Sequence, residues 1–138
     1  MTFTDPELAY LDSQRLGRLA TVRYDGSPQV SPVGFRYNPE LGTVDIVGYH
    51  MSASQKFHNV ADNGHAAFVV DDVASVDPWR VRCLEIRGTA EAILDPSGPT
   101  AGADSSMIRI RPRRIISFGI DHTDQEPHLL VPNKRNVA

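Results

Sequence analysis

Cysteine is almost absent from this chain: Cys83 is the only one in 138 residues. A lone thiol forms no internal disulfide, so the fold must hold by packing and hydrogen bonding, and a reducing cytoplasm is the expected setting. Cys83 lies in a strand-like run and reads as a small packing residue rather than a nucleophile. Lysine is also scarce. Of the 14 basic residues only Lys56 and Lys134 are lysines, and the rest are arginines. The formal net charge of −3 and a pI near 5.9 leave no basic surplus, which argues against nucleic acid as a partner. No run approaches the roughly 20 apolar residues of a membrane span. The acidic opening MTFTDPELAY lacks the charged-then-apolar layout of an export leader. No Gly-x-Gly-x-x-Gly fingerprint occurs, which speaks against a Rossmann nicotinamide site. His50 and His58 have no Cys or acidic companions at ligand spacing, so no metal is expected. No Ser–His–Asp or Cys–His arrangement supports hydrolysis.

What is present is an ordinary globular balance, 41% hydrophobic and 22% charged, in a length suited to one domain with one core. Thr4-Asp-Pro-Glu7 combines a capping-box spacing with an early proline, and Leu8, Leu11 and Leu16 then line a short helix that Gly17 can end. From there the pattern is of strands. Leu19–Tyr24 leads into the Asp25-Gly26 hairpin signal, and Ser27–Tyr37 returns. Pro28 and Pro32 interrupt that return, since proline has no N–H to give a ladder. A turn at Asn38–Gly42 precedes a third strand, Thr43–His50. Ala66–Val70 is a compact apolar strand, and Asp71–Pro78 reads as a loop before Trp79. In Val81–Ile93, Leu84, Ile86, Ala90 and Ala92 alternate with polar residues, as in a half-buried strand. Leu94–Ser106 is a Pro/Gly/Ser-rich loop, Met107–Ile120 a last strand broken near Pro112. Residues 1–120 form the expected domain and 121–138 a polar tail. This order predicts a mainly β protein: a six-stranded antiparallel barrel with few helices.

Between the third and fourth strands lies SASQKFHNV, residues 52–60. With Ser52 as N-cap, Gln55 falls at the third helical position and completes a capping box. Ala53, Phe57, Val60 and Ala61 then face the core, while Ser54, Lys56 and Asn59 lie toward the other side. A helix start exposes backbone N–H groups, and a lysine beside them makes an anion site. The alternative reading is a capped surface helix with solvated polar residues.

The segments LATVRYDGSPQVSPVGFRYNPELGTVDIVGYHMSASQKFHNVADNGHAAFVVDD and WRVRCLEIRGTAEAI, within Leu16 to about Ile120, resemble the pyridoxamine 5′-phosphate oxidase-like split-barrel superfamily. Within it the chain is most similar to small oxidoreductases that use the deazaflavin coenzyme F-420. The Ala-Thr-x-x-x-Asp-Gly-x-Pro hairpin, Ala20 to Pro28, and the position of Lys56 carry that likeness. The resemblance implies a six-stranded split β-barrel that forms a homodimer, with cofactor sites at the interface. Ser31, Pro32 and Val33 would border the ring, the proline's ladder break freeing neighbouring polar groups. Tyr49 and His50 would end the third strand beside it. Ser54, Gln55, Lys56 and Asn59 would hold the phosphate arm, and Trp79 would either stack on a ring or substrate from the partner subunit or fill a core corner.

FMN-holding relatives usually carry adjacent Arg and Lys at the helix start and a base where Ser31 stands. Here Gln55 precedes Lys56, which suits an exchangeable deazaflavin better than resident FMN. The expected activity is hydride transfer between reduced coenzyme F-420 and a small-molecule acceptor, an unsaturated or conjugated organic compound, with no protein catalytic base assigned. The alternatives are an FMN enzyme of the same fold and a non-catalytic binder of flavin, haem or tetrapyrrole. Arg109, Arg111, Arg113 and Arg114 read as a solvated strand face. One of them, or Arg36, is a candidate contact for a polyglutamate tail.

Overall fold

The computed structural model describes residues 2–96, 104–121 and 126–137. Thr4 caps α1 (Asp5–Ser13): its hydroxyl accepts from the Glu7 N–H while the Glu7 carboxylate accepts from the Thr4 N–H at 2.9 Å, so the expected capping box is formed. The helix stops earlier than expected. Leu16 and Gly17 belong to β1 (Leu16–Val22), where Gly17 turns inward and Leu16 outward in strand alternation.

The hairpin at Asp25-Gly26 leads to β2 (Pro28–Gly34), and after Phe35 the chain continues as β3 (Arg36–Asn38). Beyond the turn comes β4 (Thr43–Val47), then α2 (Gln55–Asn63), β5 (His65–Ser75), β6 (Arg80–Ile93) and β7 (Met107–Phe118). A last strand, β8 (Asn133–Asn136), comes from the tail and pairs with β7.

All pairings are antiparallel, in the order β2-β1-β5-β6-β7-β4-β3. Because the first and last strands of that order are consecutive in the chain, the sheet curls toward closure and remains split between them. The mainly β, antiparallel class is as expected, but among the described residues the strands number eight rather than six. The expected second strand bends at Phe35 into two, and the tail supplies another. Pro28 and Pro32 do not break the β1–β2 ladder, whose register runs unshifted from Leu16↔Gly34 to Val22↔Pro28. On this end strand proline is tolerated where its missing N–H would face the free edge.

Inside the curl, Leu19, Phe68, Val70, Leu84, Ile86, Ile108, Ile110 and Ile115 are buried, each worth about 1.5–3 kcal/mol relative to exposure. The expected loop at Asp71–Ser75 is instead a continuation of β5. Its acidic residues have partners there: Arg18 bonds Asp71 at 3.0 Å, and Arg82 grips Asp72 through two nitrogens at 2.9 and 2.6 Å. The Tyr10 hydroxyl also donates to Asp72, at 2.7 Å. Near Pro112 the β6–β7 register shifts by a bulge. Gly88 is required opposite it, because a Cβ there would sit 2.1 Å from the Arg111 carbonyl oxygen.

One polar knot ties the ends of the chain together. Glu7, 1% exposed, accepts from the Ser117 hydroxyl at 2.7 Å and from two nitrogens of Arg135 in β8. Burial pushes the Glu7 carboxyl up, but hydrogen bonds from Arg135, Ser117 and Thr4 outweigh it and hold it below its usual 4.5. A lowered folded-state pKa contributes stability that is present above the unfolded value and fades as pH falls through the folded one. Glu7→Gln should therefore cost about 3 kcal/mol at pH 7 in urea unfolding, by leaving Arg135 without its charge partner. That deficit should shrink below pH 4.5. A deficit unchanged down to about pH 3 would contradict this account.

Candidate functional site

Three residues of the β4–α2 connection decide where α2 begins. Met51, Ser52 and Ala53 form a 3-10 turn, pinned by the buried Met51 side chain. The N-cap is therefore Ser54, not Ser52, and the expected Ser52–Gln55 capping box does not form. The Ser54 hydroxyl accepts from the Phe57 N–H at 3.3 Å and donates to the Met51 carbonyl at 2.6 Å. Ser52 serves elsewhere: its N–H and hydroxyl both donate to Asp104, at 2.9 and 2.7 Å, tying the turn to the segment before β7. These bonds from Ser52, with those from Ser106, hold the Asp104 carboxyl well below the usual carboxylate range. Gly64, at φ 70°, closes the helix as expected.

The helix is docked by an amide. Asn59 is 2% exposed, and its nitrogen donates to the Thr21 hydroxyl in β1 at 3.0 Å and to the Gln29 side chain in β2 at 3.4 Å. Its oxygen accepts from Gln55 at 2.7 Å. One helical turn farther on, Asn63 donates to the Val22 carbonyl at 2.6 Å. The helix is thus tied to the inward faces of β1 and β2, with Gln55, Asn59 and Gln29 in one hydrogen-bonded line. Lys56 follows Gln55, half-buried, and makes no ion pair among the described residues. The N–H groups of Gln55 and Lys56 occupy the first helical positions and have no acceptor within the helix. An unpaired ammonium beside unpaired N–H groups is an arrangement that attracts an anion.

The other expected residues are distributed as follows. Ser31 and Val33 lie on the face of β2 that looks into the curl, opposite Leu19 and Gly17, and Pro32 lies on the outer face. Tyr49 (85% exposed) and His50 stand in the connection after β4, which ends at Val47 rather than at His50. Trp79 is not brought to this group. It occupies the β5–β6 turn, 55% exposed, roughly 30 Å along the strand from Ala66. Residues 97–103 of the expected Leu94–Ser106 loop lie outside the described residues.

With this geometry in place, the comparisons with known proteins decide the family. The family model described as pyridoxamine 5′-phosphate oxidase matches residues 3–123. The chain belongs to that family. Among curated proteins, it is 47% identical over 127 residues to a 5a,11a-dehydrotetracycline/5a,11a-dehydrooxytetracycline reductase of Streptomyces rimosus, covering 88% of this chain and 86% of that protein. It is 32% identical over 92 residues to an F-420H(2)-dependent biliverdin reductase of Mycobacterium tuberculosis, covering 67% and 62%. Among solved structures, an F-420 reductase superposes with a TM-score of 0.59 at 30% identity, covering 75% of this chain and 90% of that one. This member of the pyridoxamine 5′-phosphate oxidase family is accordingly an oxidoreductase of the F-420-type branch.

Several charges elsewhere in this family member are committed. Arg109 grips the buried Asp45 through two nitrogens at 3.0 and 3.1 Å, and Asn38 and Thr43 also bond that carboxylate. Burial raises the Asp45 pKa, and these hydrogen bonds, Arg109 first, lower it further than burial raises it. Arg111 pairs with Glu91, and Arg114 donates to Asn136. Arg113 and Arg36 remain exposed. Burial pushes the Cys83 thiol up to about 11, so it is protonated and unreactive near neutrality. The Glu7 knot, the Asp45 cluster and the Ser52–Asp104 clasp were not anticipated from sequence. No periodic pattern marked them: Glu7 lies in α1, Ser52 and Asp104 lie in connections, and Asp45 alternates with the core residues Val44 and Ile46. Asn59→Ala should cost about 1–3 kcal/mol, as buried partners lose their bonds. Lys56→Ala should stay within about 0.5 kcal/mol of wild type. Urea unfolding of both variants checks the contrast between a docking residue and a binding one.

Proposed function

We propose that this chain is a reductase that moves a hydride from reduced coenzyme F-420 to an unsaturated or conjugated organic acceptor. The observation that carries this reading is Lys56: an ammonium with no ionic partner, at a helix start whose position the Asn59 amide fixes. The residues fit the coenzyme's phosphate arm. Lys56 supplies a mobile point charge, and the Gln55 and Lys56 N–H groups supply directed donors. Ser31 and Val33 would border the ring along β2, with Tyr49 and His50 at its side. A single lysine, in place of the adjacent arginine and lysine usual where FMN is held, favours an exchangeable coenzyme. Both curated relatives are reductases, and one is named for its dependence on reduced F-420.

When bound, the reduced deazaflavin supplies the hydride. The acceptor gains that hydride at one carbon and a proton from water at the other, so its double bond is reduced by two electrons. The protein's part is to bind, orient and exclude water.

The site is completed, in this reading, by a second copy of the chain. The outer face of the sheet carries an apolar groove of about 240 Å³, formed in part by Ala20, Val30, Ala67 and Val69, with Val30 68% exposed. Arg18 and Glu85 flank it, each already paired within the chain, to Asp71 and Arg87, so the groove offers mainly apolar area to a symmetric copy. Such a surface suits a twofold homodimer with cofactor sites where its subunits meet.

Two measurements test these statements. In parallel titrations, F-420 should bind more tightly than FMN, and Lys56→Ala should weaken F-420 binding by about tenfold to a hundredfold, the worth of a charge-assisted contact. Unchanged affinity in that variant would remove the phosphate assignment. Val30→Glu should convert a dimer into a monomer in light scattering, and a wild-type monomer would remove the interface.

A further inference from the structure

A second cleft, about 290 Å³, opens between α1 and the bend that joins β2 to β3. Its walls are apolar and fixed. Leu11 is buried in the core, Leu8 packs against that core, and Phe35 meets Phe68 edge-on with ring centroids 5.2 Å apart. Tyr37 likewise meets Phe3 at 5.6 Å. Its lining also includes two exposed charges of opposite sign, Arg36 and Asp12. Neither makes an ion pair among the described residues, with each other or with any neighbour. Every other arginine–carboxylate contact named above is closed. This pair, facing one cleft, is open.

We propose that this cleft holds one end of the acceptor, and that the acceptor is a fused-ring zwitterion of the tetracycline kind. The inference rests on the reductase reading above and names the substrate class for it. Tetracyclines carry an acidic, enolised tricarbonyl group and, on the same ring, a dimethylammonium. The Arg36 guanidinium accommodates the enolate, and the Asp12 carboxylate accommodates the ammonium. The apolar walls receive the ring edges.

Position along the chain supports the assignment. Arg36 lies three residues past Val33, beyond the bend at Phe35 and so within about 10 Å of it. A ring seated beside Ser31–Val33 would therefore have its phosphate arm toward Gln29 and Lys56 and its far edge toward this cleft. An acceptor anchored by Arg36 and Asp12 extends its conjugated system back over β2. The volume is at the lower end of ligand pockets, room for part of a four-ring molecule with the rest lying over the coenzyme. The Streptomyces rimosus relative, 47% identical, is named for reduction of dehydrotetracyclines.

The test uses tetracycline itself as the probe, followed by its own fluorescence, with a separate titration of F-420. Wild type should bind tetracycline, and Arg36→Ala and Asp12→Asn should each weaken it about tenfold, with F-420 affinity unchanged in both. Lys56→Ala should show the converse. Absence of wild-type binding, or equal tetracycline affinity in wild type and both variants, would overturn the proposal. A wild type that fails to bind F-420 yet loses tetracycline in both variants would sink the coenzyme reading and leave the cleft assignment standing. Both substituted side chains are exposed, so the variants should fold, and circular dichroism spectra matching wild type confirm it.

Discussion

A single buried amide, that of Asn59, governs where the start of α2 stands. It bonds Thr21 in β1, Gln29 in β2 and Gln55 one turn back along its own helix. A buried amide is costly to leave unmade, so the helix has one position in which all these bonds close. That position also sets Lys56 and the first free N–H groups, one helical turn before Asn59. The Ser54 cap and the buried Met51 turn fix the approach from the other side. Rotation of the helix start would break the amide contacts, so the proposed anion-binding end is preorganised rather than assembled on binding.

The distribution of charge separates framework from function. Arg109, Arg82 and Arg135 each hold a carboxylate by paired bonds; Arg109 and Arg135 tie elements distant in sequence, and Arg82 ties the two strands of one hairpin. Arginine suits this work, because its planar fork matches a carboxylate and holds it in one geometry. Lys56, Arg36 and Asp12 stand outside those ties. Leaving charges unpaired carries little cost while they remain hydrated. It makes them available to a ligand that brings the opposite sign. The scarcity of lysine fits the same division, since a mobile ammonium adapts to a phosphate where a rigid fork would not.

Local chemistry was the legible part of the sequence. The Thr4–Glu7 capping box, the Asp25-Gly26 hairpin, the Gly64 helix stop and the inward alternation of β6 all depend on neighbours a few residues apart. The misplaced boundaries share one cause. Leu16 and Gly17 fit a helix face as well as a strand start, and β1 pairing with β2 and β5 decided between them. Asp71 and Asp72 read as loop residues until Arg18, Arg82 and Tyr10 are seen to satisfy them. Ser52 and Ser54 are equal candidates for a cap, and burial of Met51 chose the later one.

The sequence by itself determined the antiparallel β class, the family and the chemical character of the α2 start, because these follow from residue type and short spacing. Only the tertiary structure decided that the tail adds a strand, that Trp79 stands apart from Lys56, and that Arg36 and Asp12 share a cleft. Those facts depend on how a twisted sheet curls and which distant side chains it brings within a few ångströms. Contacts across such separations leave no periodic trace in the order of residues.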